Sequence, residues 1–232
     1  MLSLYGIDIR EIEKCGESDW KARLLPERIE RLNHIRQKKG RYCCIGAGVL
    51  ELYGSRLWLP KGEQPVLDTG KYGKPYMKNH PDLHFNLSHA GNYVVAVFAD
   101  HEVGIDLADP REYRDSLIQR CLTEQEKLWL QQQADRQAAF RRLWAAKESY
   151  IKWTGDGLRK ELRQLEVDWS RGVIQDLAAD AGTQERKGVL FAEIKPERQE
   201  LSGYSLVVCG VTEAEPEAGR NINWINSKEG NT

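Results

Sequence analysis

The chain has 232 residues, 41% hydrophobic and 30% charged, enough for one large domain or two of about 100 residues each. Its formal net charge of -1 gives no electrostatic support to a general nucleic-acid or membrane-surface role. The longest apolar run, YVVAVFA at 93–99, is too short to span a bilayer, and we expect no export signal. Five cysteines without zinc-ligand or disulfide spacing indicate buried free thiols in a reducing cytoplasm.

The predicted elements alternate between strands and helices. Short apolar or alternating runs predict strands at 2–9, 83–89, 93–99, 102–107, 164–169, 187–194 and 202–211. A helical region at 26–59 is predicted to divide at Gly40, and the residues from 59 to 75 are rich in turn formers. Helices resume at Glu112, and the clearest one covers about 137–153.

A short repeat indicates the domain organisation. YGIDI at 5–9 and VGIDL at 103–107 are nearly the same pentapeptide, and each begins a pattern of one strand followed by helices. The repeat predicts an α+β fold of two similar halves, 1–100 and 101–212, followed by a tail at 213–232. A site between two such halves would lie in a natural cleft.

The stretch LWAAKESYIKWTGDGL (143–158) has the strongest chemical pattern. On a helix Trp144, Glu148 and Lys152 share one stripe, beside a glycine loop that lets backbone approach a ligand. Glu148 and Lys152 can equally form a simple surface ion pair. The pattern alone leaves both interpretations open.

A second stretch, HFNLSHAGNYVV (84–95), carries a Ser–His pair at the end of a strand. Alternation places Asn86 and Ser88 away from the core, and His89 falls where the strand gives way to a turn. No G-x-S-x-G elbow is present, so the pair does not indicate a serine hydrolase. Hydroxyl, amide and imidazolium donors suit contact with a phosphate, although a structural histidine is the alternative.

EVGIDLADP (102–110) places an acid near a strand end. Asp106 lies on the strand face opposite to Val103 and Ile105, where it can cap a helix or pair with a base. Together with Glu148 it can instead form a magnesium site, because Mg²⁺ takes one or two protein carboxylates and fills its remaining positions with phosphate and water.

Basic residues near these stretches fit a phosphate ligand. His89 and Lys152 would neutralise phosphates that the metal does not reach, and YGKP (72–75) fixes Lys74 on a turn. A basic run at 28–41 adds further cations, with a solvated helix face as the alternative. Its arginines considered as phosphate contacts are Arg28, Arg31 and Arg41.

The motifs occur together in an order that resembles the 4′-phosphopantetheinyl transferase superfamily, in its longer, surfactin-synthetase-activating (Sfp-type) class. These motifs are GKP (73–75), FNLSH (85–89), GID (104–106), LTEQE (122–126) and WAAKESYIK (144–152). The resemblance implies two α+β halves related by a pseudo-twofold axis, with coenzyme A and Mg²⁺ held between them. It also implies that a serine of an apo carrier protein attacks the β-phosphate of coenzyme A, accepts the phosphopantetheine arm and releases 3′,5′-ADP.

The same resemblance assigns roles by position. Asp106 and Glu148 are implied metal ligands, and Lys152 is an implied pyrophosphate contact with a catalytic role. The residues implied to bind coenzyme A are Arg28, Arg31, Arg41, Lys74, Pro75, Ser88, His89 and Lys152. Glu126 and Glu148 are both implied as the base that accepts the serine proton, and the sequence does not choose between them.

Two positions depart from the family pattern. Ala108 stands where the family often has a second metal-binding acid, and Leu122 replaces an aromatic residue. Two alternatives to the transferase remain open: a magnesium-dependent phosphohydrolase of coenzyme A or nucleotides, and a non-catalytic coenzyme A-binding module. We expect a cytoplasmic monomer with an internal pseudo-dimer that acts on an acyl or peptidyl carrier protein, without nucleic acid or membrane.

Overall fold

A computed structural model of the chain describes residues 1–178, 188–213 and 221–226, and it has the predicted α+β fold. The helices are α1 Arg10–Cys15, α2 Glu17–Lys21, α3 Pro26–Asn33, α4 Lys38–Arg56, α5 Asp115–Cys121, α6 Glu124–Gln131 and α7 Arg136–Thr154. The strands are β1 Leu2–Asp8, β2 Leu67–Thr69, β3 Pro75–Met77, β4 His84–Ala90, β5 Tyr93–Ala99, β6 Gly104–Ala108, β7 Leu165–Asp168, β8 Val173–Asp176, β9 Val189–Ile194, β10 Ser205–Cys209 and β11 Ile222–Ile225.

The strands form two main sheets that share a connectivity. One sheet has the order β11-β1-β5-β4 and the other β6-β10-β9-β8-β7, while β2 and β3 form a separate hairpin. In each main sheet the first strand of the half, β1 or β6, pairs antiparallel with its last strand, β5 or β10. Each half also has one helix of 19 residues, α4 or α7. This shared order agrees with two similar halves, and their twofold relation stays a prediction.

The two sheets pack against each other between the long helices. One core lies between α4 and the four-stranded sheet, and a second lies between α7 and the five-stranded sheet. A third core joins the sheets, with Leu4 and Val97 from one facing Val103 and Ile105 from the other. Val103 and Ile105 therefore share a face, as predicted, and Asp106 lies on the opposite face of β6, toward α7.

Side chains of β4 complete the outer edge of β6. The Ile105 N–H donates to Asn86 Oδ1 at 3.1 Å, and the Leu107 N–H donates to Ser88 Oγ at 3.1 Å. The prediction that Asn86 and Ser88 face away from the core was wrong, because both are only 5% exposed and lie at the junction of the halves. Buried N–H groups of an edge strand need acceptors, and these two side chains supply them.

The repeated pentapeptide gives the two strand-end acids different partners. Asp8 of β1 accepts hydrogen bonds from Arg10 Nε at 2.9 Å, whereas Asp106 of β6 pairs with Lys152. Burial alone would raise the pKa of Asp8, but the hydrogen bonds and charge of Arg10 outweigh it and lower the pKa. Asp8 is therefore neutralised by a residue two positions away along the chain.

Several boundaries differ from those predicted. The helical region breaks at residues 34–37, and Gly40 lies in the first turn of α4. The break is stabilised by Arg41, which donates to the Leu32 and Ile35 carbonyls at 3.0 and 3.1 Å. The hairpin β2–β3 and strand β8 were not predicted. Neither was β11, which lies within the predicted tail and pairs parallel with β1.

The cysteines agree in part with the prediction of buried free thiols. All five are free, and four are buried, but Cys15 at the end of α1 is exposed. In the part of the chain that the structure describes, no helix has the length and apolar character needed to cross a membrane.

Close packing of β6 on α7 predicts a sensitive glycine. A Cβ at Gly104 would overlap the Ser149 carbonyl oxygen and lie 2.9 Å from Trp153 Cα, and this helix backbone cannot move aside easily. Gly104→Ala should therefore lower the free energy of unfolding by about 1–3 kcal/mol, as overpacking does. Gly70→Ala is the control, because its Cβ would lie 3.4 Å from the nearest atom. Equal urea denaturation midpoints for the two variants would contradict this packing argument.

Candidate functional site

Three buried or half-buried side chains meet where β4, β6 and the end of α7 come together. Ser88 Oγ donates to Asp106 Oδ1 at 2.9 Å. Lys152 Nζ donates to Ser88 Oγ at 2.8 Å and to Asp106 Oδ1 at 2.6 Å. Asp106 is 7% exposed, so this ion pair is shielded from water. Lys152 pairs with Asp106 and not with Glu148, so the simple surface ion pair was the wrong alternative.

Glu148 lies one helical turn before Lys152 and lines the same cleft. The cleft has a volume of about 390 Å³ and is also lined by Trp144, which confirms the predicted stripe of α7. Among the described residues none donates a hydrogen bond to the Glu148 carboxylate or pairs with it. Burial raises the pKa of Glu148, and the negative charge of Asp106 raises it further. The cleft therefore brings two carboxylates close enough to repel each other.

This pair of acids fits a magnesium ion. Carboxylate oxygens are the ligands Mg²⁺ prefers, and two neighbouring carboxylates that raise each other's proton affinity can also share a cation. Within the described ranges no group of three or more His, Cys, Asp or Glu side chains could hold a metal. Ala108 lines the same cleft but offers no oxygen ligand from its side chain. Two protein ligands are enough for Mg²⁺ when water and phosphate complete its coordination.

A second cavity adjoins the first at Ser88 and His89. It has a volume of about 400 Å³, and its lining includes Arg28, Arg31 and Pro75. The His89 side chain is exposed at the rim, but the cleft walls partly exclude water around it. This desolvation, together with the charge of Lys152, lowers the pKa of His89. The two cavities adjoin along one groove, with Arg28 and Arg31 at one end. The other end holds the carboxylates of Asp106 and Glu148 together with the basic residues Lys39, Arg111 and Lys152.

The three arginines of the predicted phosphate site have different surroundings. Arg28 lines the groove but pairs with the buried Glu51, and Arg28 Nε lies 3.1 Å from Glu51 Oε2. Arg41 is not in the groove, because it pairs with Glu17 and donates to backbone carbonyls behind α3. Arg31 lines the groove and forms no ion pair among the described residues, although its charge acts on the nearby Glu51. Arg31 is therefore the arginine best placed to bind an anion.

The turn that carries Lys74 and Pro75 forms part of the wall of the groove. Gly73 and Pro75 line the basic cavity, and Gly73 has a φ of 87°, which favours glycine. The Lys74 side chain turns away from this cavity and donates to the Trp153 carbonyl at 2.8 Å. Lys74 and Pro75 thus lie together in the chain but face different elements.

The structure does not bring Glu126 into the cleft. Glu126 is 4% exposed and forms a capping box at the start of α6, where it accepts from the Thr123 N–H at 2.9 Å. It also accepts from the Val167 N–H and pairs with Lys147, which is fully buried. Glu126 holds α6, α7 and β7 together in this arrangement.

Two residues of the site region were missed from the sequence. Arg111, two residues after Asp109, lines the cleft that holds the carboxylates. Its position directly after Asp109-Pro110 is the sequence feature that could have indicated it. Lys147 precedes Glu148 in α7, and it donates to the Cys121 and Leu162 carbonyls at 2.9 and 3.0 Å. Helical spacing alone places Lys147 on the buried face of α7.

Comparisons with known proteins agree with this geometry. The sequence model of the 4′-phosphopantetheinyl transferase superfamily matches residues 102–209. The chain is 36% identical over 108 residues to the 4′-phosphopantetheinyl transferase gsp of Aneurinibacillus migulanus, covering 46% of the chain and 45% of that relative. It is 40% identical over 98 residues to the 4′-phosphopantetheinyl transferase psf-1 of Bacillus pumilus, covering 41% and 42%. It is 27% identical over 170 residues to the 4′-phosphopantetheinyl transferase Sfp of Bacillus subtilis, covering 72% and 76%.

These matches confirm the resemblance that the motifs predict. The superfamily match covers the strand, helix and loops that carry Asp106, Glu148 and Lys152. The matched part of the chain is similar to the 4′-phosphopantetheinyl transferase superfamily, and the similar proteins include gsp, psf-1 and Sfp. The matched segments span less than half of the length of gsp and psf-1, and about three quarters of Sfp.

The buried pair beside the cleft gives a stability prediction. Lys147→Met should lower the free energy of unfolding by about 3–5 kcal/mol, because it leaves the Glu126 carboxylate buried without its cation. Lys127→Met removes a pair whose acid, Glu124, is 88% exposed, and it should cost less than about 1 kcal/mol. Chemical denaturation of both variants tests this, and a small effect of Lys147→Met would show that the pair contributes little.

Proposed function

We propose that the chain transfers the 4′-phosphopantetheine moiety of coenzyme A to a serine of an apo acyl or peptidyl carrier protein, releasing 3′,5′-ADP. The observation that carries the proposal is the meeting of Ser88, Asp106, Glu148 and Lys152 at one end of a groove whose other end is basic. A diphosphate with a further phosphate on its nucleotide has the charge distribution that such a groove accommodates. The superfamily match and the names of the similar proteins support the same reaction.

Asp106 and Glu148 would hold Mg²⁺ in this reaction. A bound Mg²⁺ stabilises negative charge on the transferred and departing phosphoryl oxygens. Lys152 would stay beside Asp106 and bind the pyrophosphate, since its ammonium already lies 2.6 Å from Asp106 Oδ1. Ser88 would orient Lys152 and Asp106 through its two hydrogen bonds.

Glu148 is the proposed acceptor of the serine proton, either directly or through a water. Glu148 lines the cleft where the serine must arrive, so one of its carboxylate oxygens can accept the proton there. Glu126, the other predicted base, would have to leave a buried ion pair and a helix cap to reach the cleft. The proposal therefore assigns Glu126 a structural role.

The nucleotide of coenzyme A would occupy the basic end of the groove. Arg31 would bind its 3′-phosphate, with Arg28 beside it, while Pro75 would line the base and sugar. His89 would contact the pyrophosphate at the rim; its pKa is low without ligand, and a phosphate anion would raise it. Arg41 would support this end by holding the break between α3 and α4. We further propose that the chain acts in the cytoplasm as a monomer.

The decisive experiment is to mix the protein with coenzyme A, Mg²⁺ and an apo carrier protein, and to weigh the carrier by mass spectrometry. The proposal requires a carrier heavier by one phosphopantetheine group. An unmodified carrier with released phosphate would instead identify a phosphohydrolase. An unmodified carrier with intact, bound coenzyme A would identify a binding module without catalysis.

Two variants test the roles of the acids in the same assay. Glu148→Ala should abolish transfer, because it removes both a metal ligand and the proposed base. Asp106→Ala should remove activity together with its dependence on Mg²⁺ concentration. Glu124→Ala, which changes a largely exposed acid of α6, is the matched control and should transfer normally. Normal transfer by Asp106→Ala would show that the metal assignment is wrong.

The position of Ala108 allows the metal site to be strengthened. Ala108 lies on the same face of β6 as Asp106 and lines the same cleft, so a longer acid there would add a third carboxylate. Ala108→Glu should tighten Mg²⁺ binding, seen as a lower Mg²⁺ concentration for half-maximal transfer. Ala108→Gln has nearly the same size without the charge and should not. Equal Mg²⁺ requirements of the two variants would refute the predicted geometry.

A further inference from the structure

One lysine of the N-terminal half contacts both elements of the C-terminal half that carry the site. Lys74 Nζ donates to the Trp153 carbonyl oxygen at 2.8 Å and to Glu102 Oε2 at 2.6 Å. The Lys74 side chain is 20% exposed, and both of its acceptors belong to the other half of the chain. The Lys74 ammonium thus binds protein groups that lie outside the basic cavity.

The Trp153 carbonyl lies in the last turn of α7, where helix carbonyls have no partner within the helix. A positive charge there also interacts favourably with the helix dipole. The helix ends at Gly155 in the left-handed conformation, and a Cβ at this residue would lie 3.3 Å from Lys74 Cδ. Lys74 therefore acts as the cap of α7 and packs closely over its end.

Glu102 closes the network from the side of β6. The Trp153 indole N–H donates to the Glu102 carbonyl at 3.0 Å, while the Glu102 carboxylate accepts from Lys74. We call these three residues, Lys74, Glu102 and Trp153, the clasp. Glu102 lies just before β6, and Trp153 directly follows Lys152. The clasp thus joins the start of β6 to the end of α7 through a residue of the N-terminal half.

We propose that Lys74 is a positioning residue, which acts through the clasp to set Lys152 and Glu148 of α7 relative to Asp106 of β6. This inference rests on the proposed transferase function for its kinetic consequence. Gly73 and Pro75, on either side of Lys74, line the basic cavity. The turn that would hold the nucleotide is therefore the same turn that fixes the acids and Lys152. Lys74 contributes to the reaction by geometry and makes no contact with phosphate.

The test compares Lys74→Met with Lys71→Met. Lys71 lies on the same turn and carries the same charge, but it is exposed and lies over the Tyr72 ring, 5.2 Å from its centroid. Without any ligand, Lys74→Met should speed amide hydrogen exchange in residues 150–155, while Lys71→Met should not. In the transfer assay Lys74→Met should lower kcat about tenfold, as small misplacements of reacting groups do, with little change in the KM for coenzyme A.

Two further variants distinguish loss of the clasp from simple loss of a positive charge. Lys74→Arg keeps a cation that can reach the Trp153 carbonyl, and it should restore most of the exchange protection and of kcat. Glu102→Gln should weaken the clasp from the other side. The double variant Lys74→Met with Glu102→Gln should lower kcat by less than the two single changes combined, because both act on the Lys74–Glu102 contact, while only Glu102→Gln alters the contact with His84.

Three results would overturn the inference. Unchanged exchange in residues 150–155 of Lys74→Met would show that the clasp does not hold α7. Weaker coenzyme A binding with unchanged kcat would show that Lys74 contacts the ligand. Faster amide exchange with normal transfer kinetics would show that Lys74 stabilises the end of α7 but does not position the reacting groups. If the unmodified protein transfers nothing to any carrier, the proposed function fails, while the exchange comparison still decides whether the clasp holds α7.

Discussion

The buried hydroxyl of Ser88 is the contact on which the arrangement of the site depends. A serine hydroxyl has one donor and two acceptor positions, and here all three are used. It donates to Asp106 and accepts from Lys152 and from the Leu107 N–H, so one atom joins β4, β6 and α7. A fully satisfied buried network of this kind is rigid, and it defines where the two halves meet. The cleft is therefore a product of the junction and belongs to neither half alone.

Charge in the groove is set as much by internal pairing as by the number of basic residues. The basic run at 28–41 suggests several phosphate contacts, but Glu51 engages Arg28 and Glu17 engages Arg41. Because burial raises the pKa of Glu51 and Arg28 opposes this, the pair resembles a structural support more than a mobile ligand contact. The positive end of the groove thus depends mainly on Arg31, with His89 available at the rim.

Local pattern predicted the elements that have strong periodicity of their own. Strands β1, β4 and β5 and helix α7 fall close to their predicted positions, and the predicted stripe of Trp144, Glu148 and Lys152 on α7 lines one cleft. Of the missed elements, β11 depends on a partner far along the chain, since it pairs with β1, whereas β2, β3 and β8 are strands of only three or four residues. Asn86 and Ser88 were assigned to the wrong environment because a strand at a junction buries both faces. For Glu126 the T-E-Q-E capping box was visible in the sequence and predicts its structural role.

The pairing of Asp8 with Arg10 bears on how many metal ions the proposed reaction would use per chain. Both copies of the repeated pentapeptide place an aspartate in the same position of a strand, but the first copy supplies its own counter-charge from the next helix. Asp106 is likewise paired, with Lys152, but Glu148 in the same cleft has no ion-pair partner among the described residues. Of the two copies, only the second therefore lies beside an unpaired carboxylate, and the proposed reaction would use one ion per chain.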